Sequence, residues 1–216
     1  EPEGSRVLFL GNSITLHGPA ENIGWSGNWG MAASTAEKDY VHLLLDAVAK
    51  SSGRKPESKV VNLADFERGF EHYDIAANLK AEVAFQADTV ILAIGENVPD
   101  LKTDGARMKL RDRLSRLLKL VQGDRLCTIY VRSCFWPNAA KDSALKEACA
   151  TVGGVFVDIS ALSKDERNYA RSERKIAHGG VAAHPGDRGM RAIAEMIFAA
   201  IKAPAGLRLA GGGNSW

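Results

Sequence analysis

The sequence predicts an α/β protein built as a three-layer α/β/α sandwich around a five-stranded parallel sheet. Five short runs are rich in Val, Ile and Leu and almost continuously apolar, which is typical of strands buried on both faces of a parallel sheet. Longer segments, in which apolar residues recur at helical spacing, separate these runs. A chain of 216 residues is long enough for one domain with a single core.

Strands and helices alternate regularly along the chain. The predicted strands are residues 7–10, 59–63, 88–94, 127–131 and 154–159. The predicted helices are residues 39–51, 73–85, 106–121, 142–152 and 187–202. This alternation favours a doubly wound sheet with right-handed crossovers. We expect one domain over residues 1–210, followed by a flexible, glycine-rich tail over residues 211–216.

Two long segments, residues 15–38 and 162–186, show no sustained period and should form loops. Each follows a predicted strand, so both should leave the sheet at its carboxyl end, where open α/β folds bind their ligands. Long loops inside a compact domain are usually functional or disordered. Two tryptophans in the first segment argue against disorder. We therefore expect a functional site at this edge of the sheet.

Charge and composition exclude several classes of partner. The formal net charge of +2 is too small to indicate binding to nucleic acid. No apolar run approaches the roughly 20 residues that cross a bilayer, so membrane insertion is not expected. The three cysteines form neither a disulfide framework nor a zinc-ligand pattern. The first residue is Glu rather than Met, which favours a processed, secreted or periplasmic protein and leaves the cytoplasm open.

A serine and a histidine are candidates for nucleophilic catalysis. Ser13 directly follows the first predicted strand, and a serine hydroxyl needs a base to become a nucleophile. Of the five histidines, His184 stands just before the last predicted helix, which Asp187 could cap. It should therefore face the same sheet edge as Ser13. His17 and His72, in or beside loops, stay candidate binding residues.

Three sequence blocks together resemble the SGNH (GDSL-type) hydrolases. "FLGNSIT" is similar to the family's first block and places Ser13 at the nucleophile position. "AIGENV" is similar to the G-x-N block, with Asn97 as its asparagine, and "HPGDRGMRAIAE" to the final block, with His184 as the base. The resemblance implies a flavodoxin-like SGNH hydrolase fold and a serine esterase that needs no metal and no cofactor.

The resemblance also implies an oxyanion hole. Its donors would be the backbone N–H of Ser13, the side-chain amide of Asn97 and a backbone N–H from the loop after the second strand. The family has a glycine in that loop, whereas this sequence has Glu67 near the glycine position and Gly69 two residues later. Since any residue except proline has a backbone N–H, the donor could be any residue of 64–69, and the sequence does not decide which. A carboxylate at Glu67 would oppose an oxyanion unless it points away or pairs with a cation.

A second departure concerns the group that orients the histidine. The family has an Asp three residues before the histidine, and here that residue is Val181. A backbone carbonyl could orient His184 in a Ser–His dyad, or an acid could come from elsewhere. The candidate acids are Glu173, Glu96 and Glu67. A third interpretation is that catalysis is lost and only binding remains.

The expected substrate is a small-molecule or carbohydrate ester. Trp25 and Trp29 lie in the loop after Ser13, and Trp136 lies just past the fourth strand. Aromatic faces at such an edge can stack on sugars or line an acyl pocket. With Glu96 and the polar loops, they favour a carbohydrate O-acetyl esterase. The alternatives are a lysophospholipase- or thioesterase-like acyl hydrolase and a catalytically silent carbohydrate-binding protein. The oligomeric state is not predicted.

Overall fold

A five-stranded, all-parallel sheet forms the centre of the molecule in the computed structural model, which describes residues 5–203. The strand order is β2-β1-β3-β4-β5, so the chain reverses direction across the sheet between β1 and β3. The strands are β1 (Arg6–Gly11), β2 (Glu57–Asn62), β3 (Thr89–Ala93), β4 (Thr128–Arg132) and β5 (Val155–Val157). The predicted five-stranded α/β sandwich is confirmed.

Helices cover both faces of this sheet. They are α1 (Tyr40–Ser52), α2 (Ala64–Gly69), α3 (Ile75–Asn78), α4 (Lys80–Phe85), α5 (Asp104–Gln122), α6 (Ala139–Thr151), α7 (Gly179–Ala182) and α8 (Asp187–Lys202). Within residues 5–203, no helix combines the length and apolar character needed to span a bilayer. The end of the predicted domain at residue 210 and the predicted tail lie outside the described residues.

The two faces of the sheet form separate cores because alternate residues of a strand point to opposite sides. Leu8 and Leu10 of β1 pack with residues of α2, α3, α5 and α6. Val7 and Phe9 of the same strand pack with α1 and α8. Burying one large apolar side chain contributes roughly 1.5–3 kcal/mol. The two cores therefore fix the helices on the sheet and leave its carboxyl edge free for a site.

Short helices are where the structure departs from the sequence prediction. The predicted helix over 73–85 is two helices, α3 and α4, which meet at Leu79. The Asp74 side chain caps α3 by accepting from the Ala77 N–H at 3.0 Å. Helices α2 and α7 were not predicted, because four to six residues are too few to show a helical period. The loop over 15–38 contains two 3₁₀ turns, and an isolated antiparallel β-bridge pairs His17 with Trp29.

The chain turns sharply after β1. The carbonyl of Asn12 accepts from the N–H groups of both Thr15 and Leu16 at 2.9 Å. A Cβ at Gly11 would overlap the side chain of Thr15, so only glycine fits there. Ser13 is thus held at the carboxyl end of β1, beside the point where strand order reverses. Open α/β sheets bind ligands at such switch points.

Candidate active site

Ser13, Asn97 and His184 come together in one cleft at the carboxyl edge of the sheet. Ser13 follows β1, Asn97 follows β3, and His184 lies between α7 and α8. All three line a cavity of about 510 Å³. The Ser13 Oγ lies 2.9 Å from the His184 Nε2, although 171 residues separate them in sequence. This is the spacing of a hydrogen-bonded nucleophile and base.

A backbone carbonyl orients the imidazole. The His184 Nδ1 lies 2.7 Å from the carbonyl oxygen of Gly180 in α7. Because a carbonyl only accepts, Nδ1 carries the proton and Nε2 presents its lone pair to the Ser13 hydroxyl. Val181 packs in the core beside this carbonyl and takes no part. In the part of the chain that the structure describes, Glu173, Glu96 and Glu67 have no hydrogen bond to His184.

Burial sets the protonation state of His184. Removal of the ring from water lowers its pKa, and the nearby His17 acts in the same direction. The Gly180 carbonyl and Glu96 act against this shift without reversing it. His184 is therefore neutral at pH 7, which is the state that can accept a proton from serine.

Glu173 takes the helix-capping role that the sequence suggested for Asp187. Asp187 does not cap α8: its carboxylate accepts from the N–H and hydroxyl of Ser34, each at 2.7 Å, and from Lys38 at 2.9 Å. Glu173 caps the helix instead, since its carboxylate accepts from the N–H groups of Asp187 and Arg188 at 2.8 and 2.7 Å. Both contacts tie loops to the helix that follows His184.

The prediction that Glu67 or Gly69 supplies a backbone oxyanion donor is corrected. The N–H of Glu67 donates to the carbonyl of Leu63 at 3.0 Å inside α2. Gly69 is at the far, exposed end of that helix and does not line the cleft. Ala64 and Asp65, at the start of α2, do line it. The Ala64 N–H is occupied by the Asn62 Oδ1 at 2.8 Å, which leaves Asp65 as the candidate donor from this loop.

Glu96 lies behind the cleft in an ion pair and not on the substrate side, which corrects its predicted role. Its carboxylate accepts from the Arg132 guanidinium at 2.6 Å and from the Phe135 N–H at 2.8 Å. The side chains of Arg132 and Glu96 are 0% and 4% exposed. Burial acts to raise the pKa of Glu96, but the Arg132 guanidinium and the hydrogen bonds from Phe135 and Asn12 together offset it and hold the pKa below its usual range.

Trp25 and Trp29 hold the long loop together, and their contact with substrate stays a prediction. Their indole N–H groups donate to the carbonyls of His17 and Ala33, each at 3.0 Å. The two rings meet edge to face, with centroids 5.5 Å apart. Neither lines the cleft, because both rings are used in packing the loop on itself.

Trp136 is the tryptophan beside the reactive pair. Its ring meets the His184 imidazole edge to face, with centroids 5.3 Å apart, and packs on Phe135 in the same way. The observed contact therefore supports the base. Contact of Trp136 with substrate stays a prediction.

Several residues of the cleft wall were not singled out from the sequence. They are Ile23, Met31, Asn62, Ala64, Asp65, Arg68, His178 and Gly180. Most of them lie in the segments after β1 and β2 and before α8. The sequence signal that could have found those after β1 and β2 is their position just past the end of a strand. His17, a sequence candidate, also lines the cleft, whereas His72 does not. Among residues 5–203, no group of three or more His, Cys, Asp or Glu side chains could hold a metal.

Comparison with solved structures matches this architecture, although no protein-family profile and no curated protein matches the sequence. A lipase/acylhydrolase from Enterococcus faecalis has a TM-score of 0.57 at 15% identity, over 92% of this chain and 95% of that one. A carbohydrate esterase family 3 structure from Talaromyces cellulolyticus has 0.55 at 14%, over 91% and 96%. A Bacteroides uniformis protein described as a GDSL-like lipase has 0.53 at 14%, over 93% and 96%.

The chain has the GDSL-type (SGNH) hydrolase fold. The fold implied by the three sequence blocks is thus confirmed. The GDSL-type fold places the loops after β1, β2 and β3 around one cleft, and the segment before α8 closes the fourth side. At these sequence identities the similarity shows the fold only, and the reaction has to be inferred from the residues of the site.

The buried ion pair beneath the GDSL-type cleft gives a stability prediction. Arg132→Met leaves the Glu96 carboxylate buried and unpaired, so the free energy of unfolding should fall by about 3–5 kcal/mol. The double variant Arg132→Met/Glu96→Gln removes that charge and should regain part of the loss. Urea denaturation followed by circular dichroism measures both. A double variant no more stable than the single one would contradict this account of the pair.

Proposed function

We propose that this protein is a serine ester hydrolase that removes small O-acyl groups, acetyl above all, from a carbohydrate. The observation that carries the proposal is the 2.9 Å contact between the Ser13 hydroxyl and the Nε2 of a half-buried, neutral His184. The fold shared with lipases and a carbohydrate esterase supports an ester as substrate. No metal or cofactor has a step in this chemistry.

The reaction follows from which nitrogen of His184 carries the proton. Ser13 attacks the acyl carbonyl while its proton moves to Nε2, and the resulting imidazolium keeps its Nδ1–H on the Gly180 carbonyl. Nε2–H then protonates the departing alcohol, which leaves an acyl group on Ser13. Water attacks this ester by the same proton transfers and frees the serine. The carbonyl dipole of Gly180 does the orienting that a carboxylate does in a triad.

The oxyanion would be held by donors that converge on the cleft. We assign the backbone N–H of Ser13, the Asn97 Nδ2 and the backbone N–H of Asp65. Asp65 lies in the first turn of α2, where helical N–H groups have no acceptor within the helix. Its carboxylate is 91% exposed, so solvent screens that charge.

The cleft wall is chemically divided, which supports a short acyl group on a polar alcohol. Ile23, Met31 and Val181 provide an apolar surface near Ser13 for an acyl group. Arg68 and His178 provide hydrogen-bond donors on the wall for the hydroxyls of the alcohol. The lipases among similar structures favour a second candidate, a hydrolase of longer acyl chains. Secretion of the protein stays a prediction.

Hydrolysis of p-nitrophenyl esters tests the proposal. Wild type should cleave the acetate, and Ser13→Ala and His184→Ala should each lower kcat by about 10³-fold or more, since either change removes the nucleophile–base unit. His72→Ala, at a histidine outside the cleft, serves as the matched control and should keep full activity.

The acyl series separates the candidates. Acetate preferred over octanoate, together with release of acetate from an acetylated sugar, supports the carbohydrate esterase. A preference for long chains favours the second candidate. A wild type inactive on every ester tested overturns both and leaves a binding role.

The pH profile of kcat/KM reports the protonation of His184. Burial lowers its pKa, so the active neutral form should persist below the ordinary histidine value of about 6.5. Activity should be lost as pH falls through that lowered pKa and should be flat from there to about pH 8. An acid limb with its midpoint above 6.5 would contradict the assignment.

A further inference from the structure

Glu67 is buried beneath the cleft and accepts four hydrogen bonds. Its Oε1 accepts from the Gly95 N–H at 2.6 Å, the Asn97 N–H at 3.2 Å and the Asn12 Nδ2 at 3.1 Å. Its Oε2 accepts from the Asn97 Nδ2 at 2.7 Å. The residue is 0% exposed. One carboxylate thus joins α2 to the segments that follow β1 and β3.

Asn97 is held by Glu67 at two points, its main-chain N–H and its side-chain amide. Because an ionised carboxylate only accepts, the amide must turn Nδ2, and not Oδ1, toward Glu67. Nδ2 carries two hydrogens, and only one of them is used on Oε2. The second remains for a ligand in the cleft that Asn97 lines. The bond to Glu67 therefore fixes which end of the amide is available there.

We propose that Glu67 is a positioning residue that locks the Asn97 amide with its Nδ2 presented to the acyl oxyanion. This inference rests on the proposed esterase function, in which Asn97 is an oxyanion donor. It gives a role to the side chain that stands near the position of the family's glycine. The Glu67 carboxylate aligns the Asn97 amide, and the backbone N–H of Asp65 is the oxyanion donor from this loop.

The surroundings of Glu67 limit how far its charge opposes the oxyanion. Its four N–H donors point at the carboxylate, so its charge is shared among fixed dipoles. Burial and the neighbouring Glu96 raise the pKa of Glu67, while the hydrogen bonds from Asn97, Gly95 and Asn12 act in the opposite direction and favour the ionised form. The Asn12 Nδ2 bridges the two carboxylates at 3.1 and 2.6 Å, and Arg132 pairs with Glu96 on the far side.

Glu67→Gln is the variant that isolates this role. The introduced side chain keeps the size and one accepting oxygen, but it sets an NH₂ group against the Asn97 Nδ2. Two donors cannot bond, so the Asn97 amide must turn over and offer Oδ1 to the introduced NH₂ group. The expected result is a fall in kcat of about 10²–10³-fold, the cost of one oxyanion donor. KM should stay nearly unchanged, because the lost interaction belongs to the transition state.

A double-mutant cycle with p-nitrophenyl acetate separates positioning from general damage. Glu67→Gln added to Asn97→Ala should cost nothing further, since no amide is left to align. Glu82→Gln, at another buried glutamate far from the cleft, is the control and should retain full activity. Losses that multiply in the double variant, or a single variant with wild-type kcat, would overturn the inference while leaving the Ser13–His184 esterase intact.

A readout independent of activity is the side-chain NH₂ resonance of Asn97 in ¹⁵N-labelled protein. In wild type the Nδ2 hydrogen that bonds to Glu67 should exchange with water more slowly than the one that faces the cleft, and its resonance should shift in Glu67→Gln. Fast exchange in the wild type overturns the inference even if the variant does not fold. If the wild type hydrolyses no ester, slow exchange that depends on Glu67 still supports the contact between Glu67 and Asn97. The oxyanion role assigned to Asn97 then fails together with the proposed function.

Discussion

The hydrogen bond from the His184 Nδ1 to the Gly180 carbonyl is the constraint on which the cleft depends. It decides the tautomer of the imidazole and hence which nitrogen meets Ser13. A triad places a carboxylate at this point, and its charge stabilises the imidazolium. In the proposed mechanism the neutral dipole of the Gly180 carbonyl takes this place, and burial keeps the ring uncharged at rest. The proposed chemistry therefore relies on geometry fixed by the main chain, with Trp136 packed against the ring.

A buried polar layer holds the other side of the cleft, beneath Ser13 and Asn97. Arg132, Glu96, Asn12 and Glu67 form a continuous chain of hydrogen bonds beneath Ser13 and Asn97. Such a network in a low-dielectric interior is strong when satisfied and costly when broken. It connects the carboxyl ends of β1, β3 and β4 with α2. Ser13 and Asn97 thus lie on a layer whose parts cannot move independently.

The sequence was informative where apolar residues form a continuous or periodic pattern and where polar residues follow the end of a strand. Continuous apolar runs located all five strands, and the polar residues just after them located Ser13 and Asn97. Two kinds of information were missing. Gly180 acts through its main-chain carbonyl, which no side chain reports. Glu96 is buried in an ion pair with Arg132, and Glu67 is buried by accepting four hydrogen bonds, against the usual preference of carboxylates for the surface. The packing role of Trp25 and Trp29 could not be predicted, because a tryptophan that packs a loop has the same sequence signal as one that binds a ligand.

A covalent intermediate on Ser13 is the central claim, and peptide mass mapping tests it most directly. The protein is mixed with p-nitrophenyl acetate, quenched with acid within the first turnovers and digested. The account predicts one acetyl group on the peptide that contains Ser13, and none on that peptide in Ser13→Ala. Turnover without any acetyl group on Ser13, or an acetyl group on a different residue that carries the reaction, would contradict it.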